Sequence, residues 1–246
     1  MELPEQFEQI EFKPTLLFKV TLMRHEKPYY RDEGHDLTPD GVKGATSTGK
    51  RFASEGVISE NDEIILLHSP KARAKGTLDF VAQGANVIDK PQTSIDQLRS
   101  SDMTDFEKFM NYFKETGGDM EVIANDHYNN PLFEERPEII EPHSHKKDRL
   151  YRAFEYLIRW FNKHPAKSDK VRHVVAVSHF EVITHIIDDV FGIKNIGRYN
   201  APSFGEAVHI EAFDTENIDK VKLKVTYDNQ TRVVHFDRVN RSIILE

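Results

Sequence analysis

The chain contains no cysteine, which excludes a disulfide framework, a thiolate-ligated metal centre and a cysteine nucleophile. It also lacks long hydrophobic runs. No stretch approaches the roughly 20 apolar residues that a membrane-spanning helix requires. The start of the sequence carries Glu2, Glu5, Glu8 and Glu11 and has neither the basic start nor the apolar centre of a secretion signal. The expectation is a cytoplasmic protein with no membrane partner. Positive charge is in the minority: 33 Lys plus Arg face 41 Asp plus Glu, a formal net charge of −8. General nucleic acid binders and binders of anionic membranes need a basic face, so neither is expected. A small basic pocket remains compatible with this balance. The composition, 38% apolar and 30% charged, is that of a globular chain, and one core can serve 246 residues. No internal repeat and no Gly/Ser or Pro linker is visible, so residues 1–246 are expected to form a single domain.

What is present alternates between strand and helix patterns. Residues 16–23 (LLFKVTLM) read as a buried strand that stops at Arg24 and His25. Thr38, Pro39 and Asp40 supply a cap, a first-turn proline and an early acid for a helix running to about Glu55. Residues 63–67 (EIILL) give a second strand, followed by His68, Ser69 and a helix opening at Pro70. Residues 86–88 are expected to be a short strand and residues 104–115 a helix. Periodicity then dissolves over about 116–147, which reads as an insertion or lid. A stripe of Leu150, Phe154, Leu157 and Phe161 marks a helix over 146–162. Residues 173–177 (HVVAV) form a third strand ending at Ser178 and His179, before a helix over 181–191 stopped by Gly192. Beyond about residue 205 the pattern alternates apolar and polar, which predicts an antiparallel extension to the C-terminus. The fold class is α/β: a mostly parallel central sheet with helices on both faces, plus this extension.

Three apolar strands thus end in chemistry: Arg24 and His25, then Ser69 with Arg73 one turn into the next helix, then His179. Open α/β sheets bind ligands just beyond such carboxyl ends. Guanidinium forks match phosphate oxygens in a bidentate manner, and a neutral imidazole can attack phosphorus. The pattern points to an anionic, phosphorylated ligand.

The segments LMRHE (22–26), LTPDG (37–41), HSPKARAKGT (68–77) and VSHFEVI (177–183), in this order, resemble the histidine phosphatase superfamily with its phosphoglycerate mutase-like fold. The resemblance implies that His25 is a nucleophile forming a phosphohistidine. Arg24, Arg73 and His179 would hold the phosphoryl oxygens without a metal or cofactor, as a cationic clamp can. Ser69, Asn200 and Ser203 are the further substrate-binding candidates. For the general acid two positions compete. The His179-Phe180-Glu181 triplet resembles the His-x-Glu arrangement of some inositol polyphosphate phosphatases and favours Glu181. The larger branch places its acid in the region of 94–105, near Ser100, where Asp102 is the nearest carboxyl. Glu26 and Phe180 stand where the family often has glycine, and both are expected to narrow the approach, with altered substrate choice or weak activity as the result.

The implied activity is hydrolysis of a small phosphomonoester, as a histidine-type phosphatase. Mutase-type phosphoryl transfer and noncatalytic phospholigand binding by a decayed site are the alternatives, and a homodimer is a possible assembly. His127, His143, His145, His164 and His173 raise a zinc or nickel reading, which the absence of carboxylates at recognisable spacing disfavours.

Overall fold

A computed structural model describes residues 14–101, 103–115, 117–118, 134, 136–164, 166, 169–193 and 202–245. Its sheet contains β1 (Leu16–Arg24), β2 (Asp62–His68), β3 (Gln92–Ser94), β4 (Val171–Ser178), β5 (Ala207–Phe213), β6 (Lys220–Tyr227), β7 (Gln230–Asp237) and β8 (Ser242–Leu245). The strand order is β3-β2-β4-β1-β5-β6-β7-β8. Pairings among β3, β2, β4 and β1 are parallel, and those from β1 through β8 are antiparallel. The expected parallel core with an antiparallel C-terminal extension is what the structure contains.

The helices are α1 (Pro39–Ser54), α2 (Ala72–Gly84), α3 (Phe106–Glu115), α4 (His143–Lys163) and α5 (Phe180–Phe191). Alternation along the parallel strands sorts their side chains to two faces. Met23, Ile64, Leu66, Val175 and Val177 meet Ala45 and Phe52 of α1 and Ala74, Leu78 and Val81 of α2. On the other face Phe18, Val20, Leu22, Val174 and Ala176 meet Leu150, Phe154, Ile158 and Phe161 of α4 and Val182, Ile183, Ile186 and Ile187 of α5. The helix that follows β1 and the helix that follows β4 therefore leave neighbouring strand ends toward opposite faces. That divergence opens a crevice between the carboxyl ends of β1 and β4, the place where sheets of this type bind ligands.

Local chemistry explains most boundaries. The Thr38 hydroxyl accepts the Gly41 amide and Pro39 opens α1, as the sequence predicts. Residues 86–88 are not a strand. Asn86 takes a left-handed conformation, φ 59°, and the Val87 amide donates to the Ala82 carbonyl, so the chain turns at the end of α2, with Val87 packed on the core and Ile88 exposed. The third parallel strand comes later, where Gln92, Thr93 and Ser94 pair with Leu66, Leu67 and His68. Helix α3 starts at Phe106 and α4 at His143, respectively two residues later and three earlier than periodicity alone suggests. Of the expected insertion, residues 119–133 lie outside the described residues. Among the described residues no helix is long and apolar enough to cross a membrane.

A buried polar chain crosses the α1/α2 face. Lys19 Nζ donates to Asp62 Oδ1 at 2.7 Å, His173 Nδ1 lies 3.2 Å from Asp62 Oδ2, and His173 Nε2 lies 2.8 Å from the Thr21 hydroxyl. His209 Nδ1 reaches the same hydroxyl at 3.1 Å. An ionised Asp62 can only accept, so its partner nitrogen on His173 carries the proton. Although burial opposes ionisation, these donors and the Ser59 amide hold the Asp62 carboxyl down to about 2. Burial pushes His209 down to about 4, with His173 and Arg51 adding to the effect. Both shifts make the unfolded chain the stronger proton binder on acidification, through pH 6.5 to 4 for His209 and 4 to 2 for Asp62, so stability falls as pH falls. The Asp62 shift corresponds to about 2 kcal/mol at neutral pH, with roughly half of it lost near pH 3. Urea unfolding should therefore show Asp62→Asn losing about 2 kcal/mol relative to wild type at pH 7 and about 1 kcal/mol near pH 3. A cost independent of pH would contradict this account of the network.

Candidate active site

One register pair and two backbone hydrogen bonds place the three motif residues side by side. Arg24 pairs with Ser178 in the β1/β4 register, and the His25 amide donates to the Ser178 carbonyl at 2.9 Å. The Ser69 amide donates to the Val177 carbonyl at 3.0 Å. His25, Ser69 and His179 each lie one residue beyond a parallel strand end, so the parallel register itself brings them together.

The hydrogen bonds then fix their chemistry. His25 Nδ1 lies 2.8 Å from the Glu26 carbonyl oxygen. A carbonyl only accepts, so Nδ1 carries the proton and Nε2 presents a lone pair. Arg73 Nε donates to that Nε2 at 3.2 Å. The His25 and His179 rings stand edge to face with centroids 5.1 Å apart. His179 Nε2 lies 2.7 Å from the Ser69 hydroxyl, which accepts the Lys71 amide at 3.2 Å. Both imidazoles are buried, His25 at 3% and His179 at 1% exposure. Burial holds both well below the usual imidazole range. His179 adds to this at His25, and the arginines and Lys71 add to it at His179. Two neutral imidazoles and two guanidinium groups therefore share one crevice.

Arg24 is held from the other side. Its Nη1 donates to the Pro202 carbonyl at 2.6 Å, and its guanidinium carbon lies 4.0 Å from the Phe204 ring centroid and 5.0 Å from that of Phe180. Phe180, one of the two departures from glycine, thus supports a cation through its ring face. Phe204 also packs on His25, at 5.7 Å between centroids. The other departure, Glu26, is turned away. Its amide donates to the Thr77 hydroxyl at 2.9 Å, and its carboxylate fills a niche against Gly44 and Gly205, where a methyl group at either position would collide with it. Burial pushes the Glu26 carboxyl up, against the Lys27 amide and the Arg24 charge.

The remaining candidates sit differently. Glu181 does not join the imidazole pair directly: its Oε1 accepts the Ser101 amide at 3.2 Å. Lys146, wholly buried, donates to the Ser101 hydroxyl at 2.9 Å. Burial brings Lys146 down to about 8, and the charges of Glu181 and Glu141 oppose that fall. Beside it Arg149 forms a fork with Glu141 at 3.1 and 2.9 Å and donates to the carbonyls of Asp96, Gln97 and Arg99. Ser203 is exposed, with its amide donating to Glu206 Oε2 at 2.6 Å. Asn200 and Asp102 lie outside the described residues. Sequence reasoning did not find Phe204, Lys146, Arg149 or Tyr30, whose ring lies 5.6 Å from the Arg73 guanidinium carbon. Among the described residues no cluster of three or more His, Asp or Glu side chains has the geometry of a metal site.

Comparison with known proteins agrees with the architecture. The structure is similar to that of mycobacterial glucosyl-3-phosphoglycerate phosphatase, with a TM-score of 0.59 and 12% identity over 86% of this chain and 98% of that one. Bacillus stearothermophilus YhfR gives 0.58 and 19%, covering 87% and 97% of the two chains. Phosphoglycerate mutase from Bacillus anthracis gives 0.53 and 14%, covering 82% and 92%. At these identities the likeness is one of fold. Among curated protein sequences no significant match is found. The sequence profile of the histidine phosphatase superfamily (branch 1) matches residues 20–216, a span that contains every strand-end residue described above. With that span and this fold, the chain belongs to the histidine phosphatase superfamily.

Proposed function

We propose that the protein is a phosphatase that hydrolyses a small phosphomonoester through a phosphohistidine on His25. The observation that carries this reading is the fixed tautomer of His25, whose unprotonated Nε2 faces Arg73 at 3.2 Å. In the first step Nε2 forms a bond to phosphorus as the ester P–O bond breaks, and the leaving oxygen takes a proton. In the second, a water oxygen bonds to phosphorus, the N–P bond breaks, and the water proton returns to the acid. Phosphoryl transfer demands mainly positioning and stabilisation of charge on the three equatorial oxygens. Arg24 and Arg73 supply charge-assisted donors, and an entering phosphoryl oxygen takes over the Arg73 N–H from His25. The Ser69 hydroxyl, already accepting from Lys71, donates to His179 Nε2 and leaves the Nδ1 proton of that ring for the substrate.

Glu181 is the general acid of this reading. The Ser101 amide fixes its carboxyl at the first turn of α5, two residues from His179. Lys146 holds Ser101 from behind. An acid that protonates the leaving oxygen matters most when that oxygen is a poor leaving group, and such catalysis contributes typically about 100-fold or more.

Wild-type protein should release nitrophenol from p-nitrophenyl phosphate in the presence of a chelator, and His25→Ala should release none. Equal rates in the two would end the enzymatic reading and leave phospholigand binding in its place. Glu181→Gln should lower kcat by about 100-fold on an alkyl phosphate and much less on p-nitrophenyl phosphate, while Asp102→Asn stays near wild type. An Asp102→Asn variant showing the leaving-group-dependent loss would transfer the role to Asp102. In 15N spectra the His25 ring should remain neutral with its proton on Nδ1 as pH falls from 7.5 to 6. A titration centred at 6.5 or above would contradict the proposed resting state.

A further inference from the structure

We propose that Tyr30 forms the leaving-group face of this site, and that the preferred phosphomonoesters carry a flat aromatic ring next to the ester oxygen. The inference rests on reading His25 and Arg73 as the phosphate site. One guanidinium connects the two: Arg73 Nε donates to His25 Nε2 at 3.2 Å, and Arg73 Cζ lies 5.6 Å from the centre of the Tyr30 ring. In-line transfer directs the leaving oxygen away from the attacking nitrogen, hence out of the buried end of the crevice. Tyr30, at 66% exposure, is the aromatic side chain that meets the arginine clamp from solvent.

The loop holds the Tyr30 backbone against its own preference. Tyr30 has φ 61°, a left-handed conformation that a bulky residue rarely takes. Cheaper conformations are closed to it because the loop is tied on both sides. The Asp32 carboxylate accepts the Ala72 amide and the Lys71 ammonium, each at 3.0 Å. The Arg31 amide donates to Asp36 Oδ1 at 2.8 Å, the Tyr29 amide donates to the Asp36 carbonyl at 3.0 Å, and Pro28 bridges to Leu37. Helix α2 approaches so closely at Gly76 that a methyl group there would strike the His35 backbone. Strain of this kind, kept by surrounding contacts, is characteristic of ligand clamps. Arg31 is turned onto Tyr29, at 4.9 Å, rather than onto the Tyr30 ring. The result is a tethered loop backbone that presents the Tyr30 ring beside Arg73, which lowers the ordering cost of stacking a ligand ring on it.

The test uses phosphonates, whose P–C bond resists hydrolysis, so that binding is read apart from turnover. Calorimetry on wild type should show phenylphosphonate binding about fivefold tighter than methylphosphonate. That ratio should collapse toward one in Tyr30→Ala and survive in Tyr30→Phe, while Arg73→Ala weakens both ligands. The inference is overturned if Tyr30→Ala weakens the two ligands equally, which would mean that the ring only positions Arg73. A cyclohexylphosphonate affinity equal to that of phenylphosphonate would overturn the requirement for a flat ring. Failure of wild type to bind either ligand, or binding untouched by Arg73→Ala, would instead remove the phosphate site itself and the inference with it.

Discussion

The hydrogen bond from His25 Nδ1 to the Glu26 carbonyl oxygen, 2.8 Å long, constrains every other feature of the site. It leaves the opposite nitrogen as the basic one and turns that nitrogen toward Arg73. Burial keeps the ring neutral, and His179 and the two arginines push the same way, outweighing this bond, which by itself favours the protonated ring. The pocket thus combines strong positive charge with two uncharged imidazoles, a condition that suits the proposed attack of a neutral His25 on a phosphate dianion. An exposed histidine near its ordinary range would be partly protonated whenever the substrate approached.

The sheet supplies the geometry for this bond. Parallel pairing of β1 with β4 and of β4 with β2 aligns three strand ends, and the divergence of α1 from α5 keeps the space above β1 and β4 open. The overall charge of −8 does not favour anion capture by the molecule as a whole. In the proposed reading capture falls to Arg24 and Arg73, which are held by different means: ring faces and the Pro202 carbonyl for the first, His25 and Tyr30 for the second. A chain that is acidic as a whole can therefore bind phosphate where two guanidinium groups converge.

Much of this was legible from residues in order. The apolar runs ending at Arg24, His68 and Ser178 announce buried parallel strands, because helices cover both of their faces. Motif residues fall at the strand ends, so their convergence follows once the sheet is parallel. Other features depend on distant partners and leave no local mark. Lys146 and Arg149 are charged residues beside the apolar stripe of α4 and carry no local mark of burial; they are buried because Ser101, Glu141 and the carbonyls of residues 96, 97 and 99 come to them from elsewhere in the chain. Glu26 looks like an obstacle to phosphate in the sequence, and only the packing of Gly44 and Gly205 reveals the niche that removes it. The strand expected at residues 86–88 fails for a related reason: Val87 closes the turn at the end of α2 through the Ala82 carbonyl, and Ile88 lies exposed.

The most direct test of the account is the position of phosphorus on the enzyme. Protein mixed with substrate, denatured rapidly at alkaline pH and digested should yield a peptide containing residue 25 with the phosphoryl group on Nε2 of the imidazole, distinguishable by phosphorus NMR. Phosphate on Nδ1, on another residue, or equally abundant in His25→Ala would contradict it.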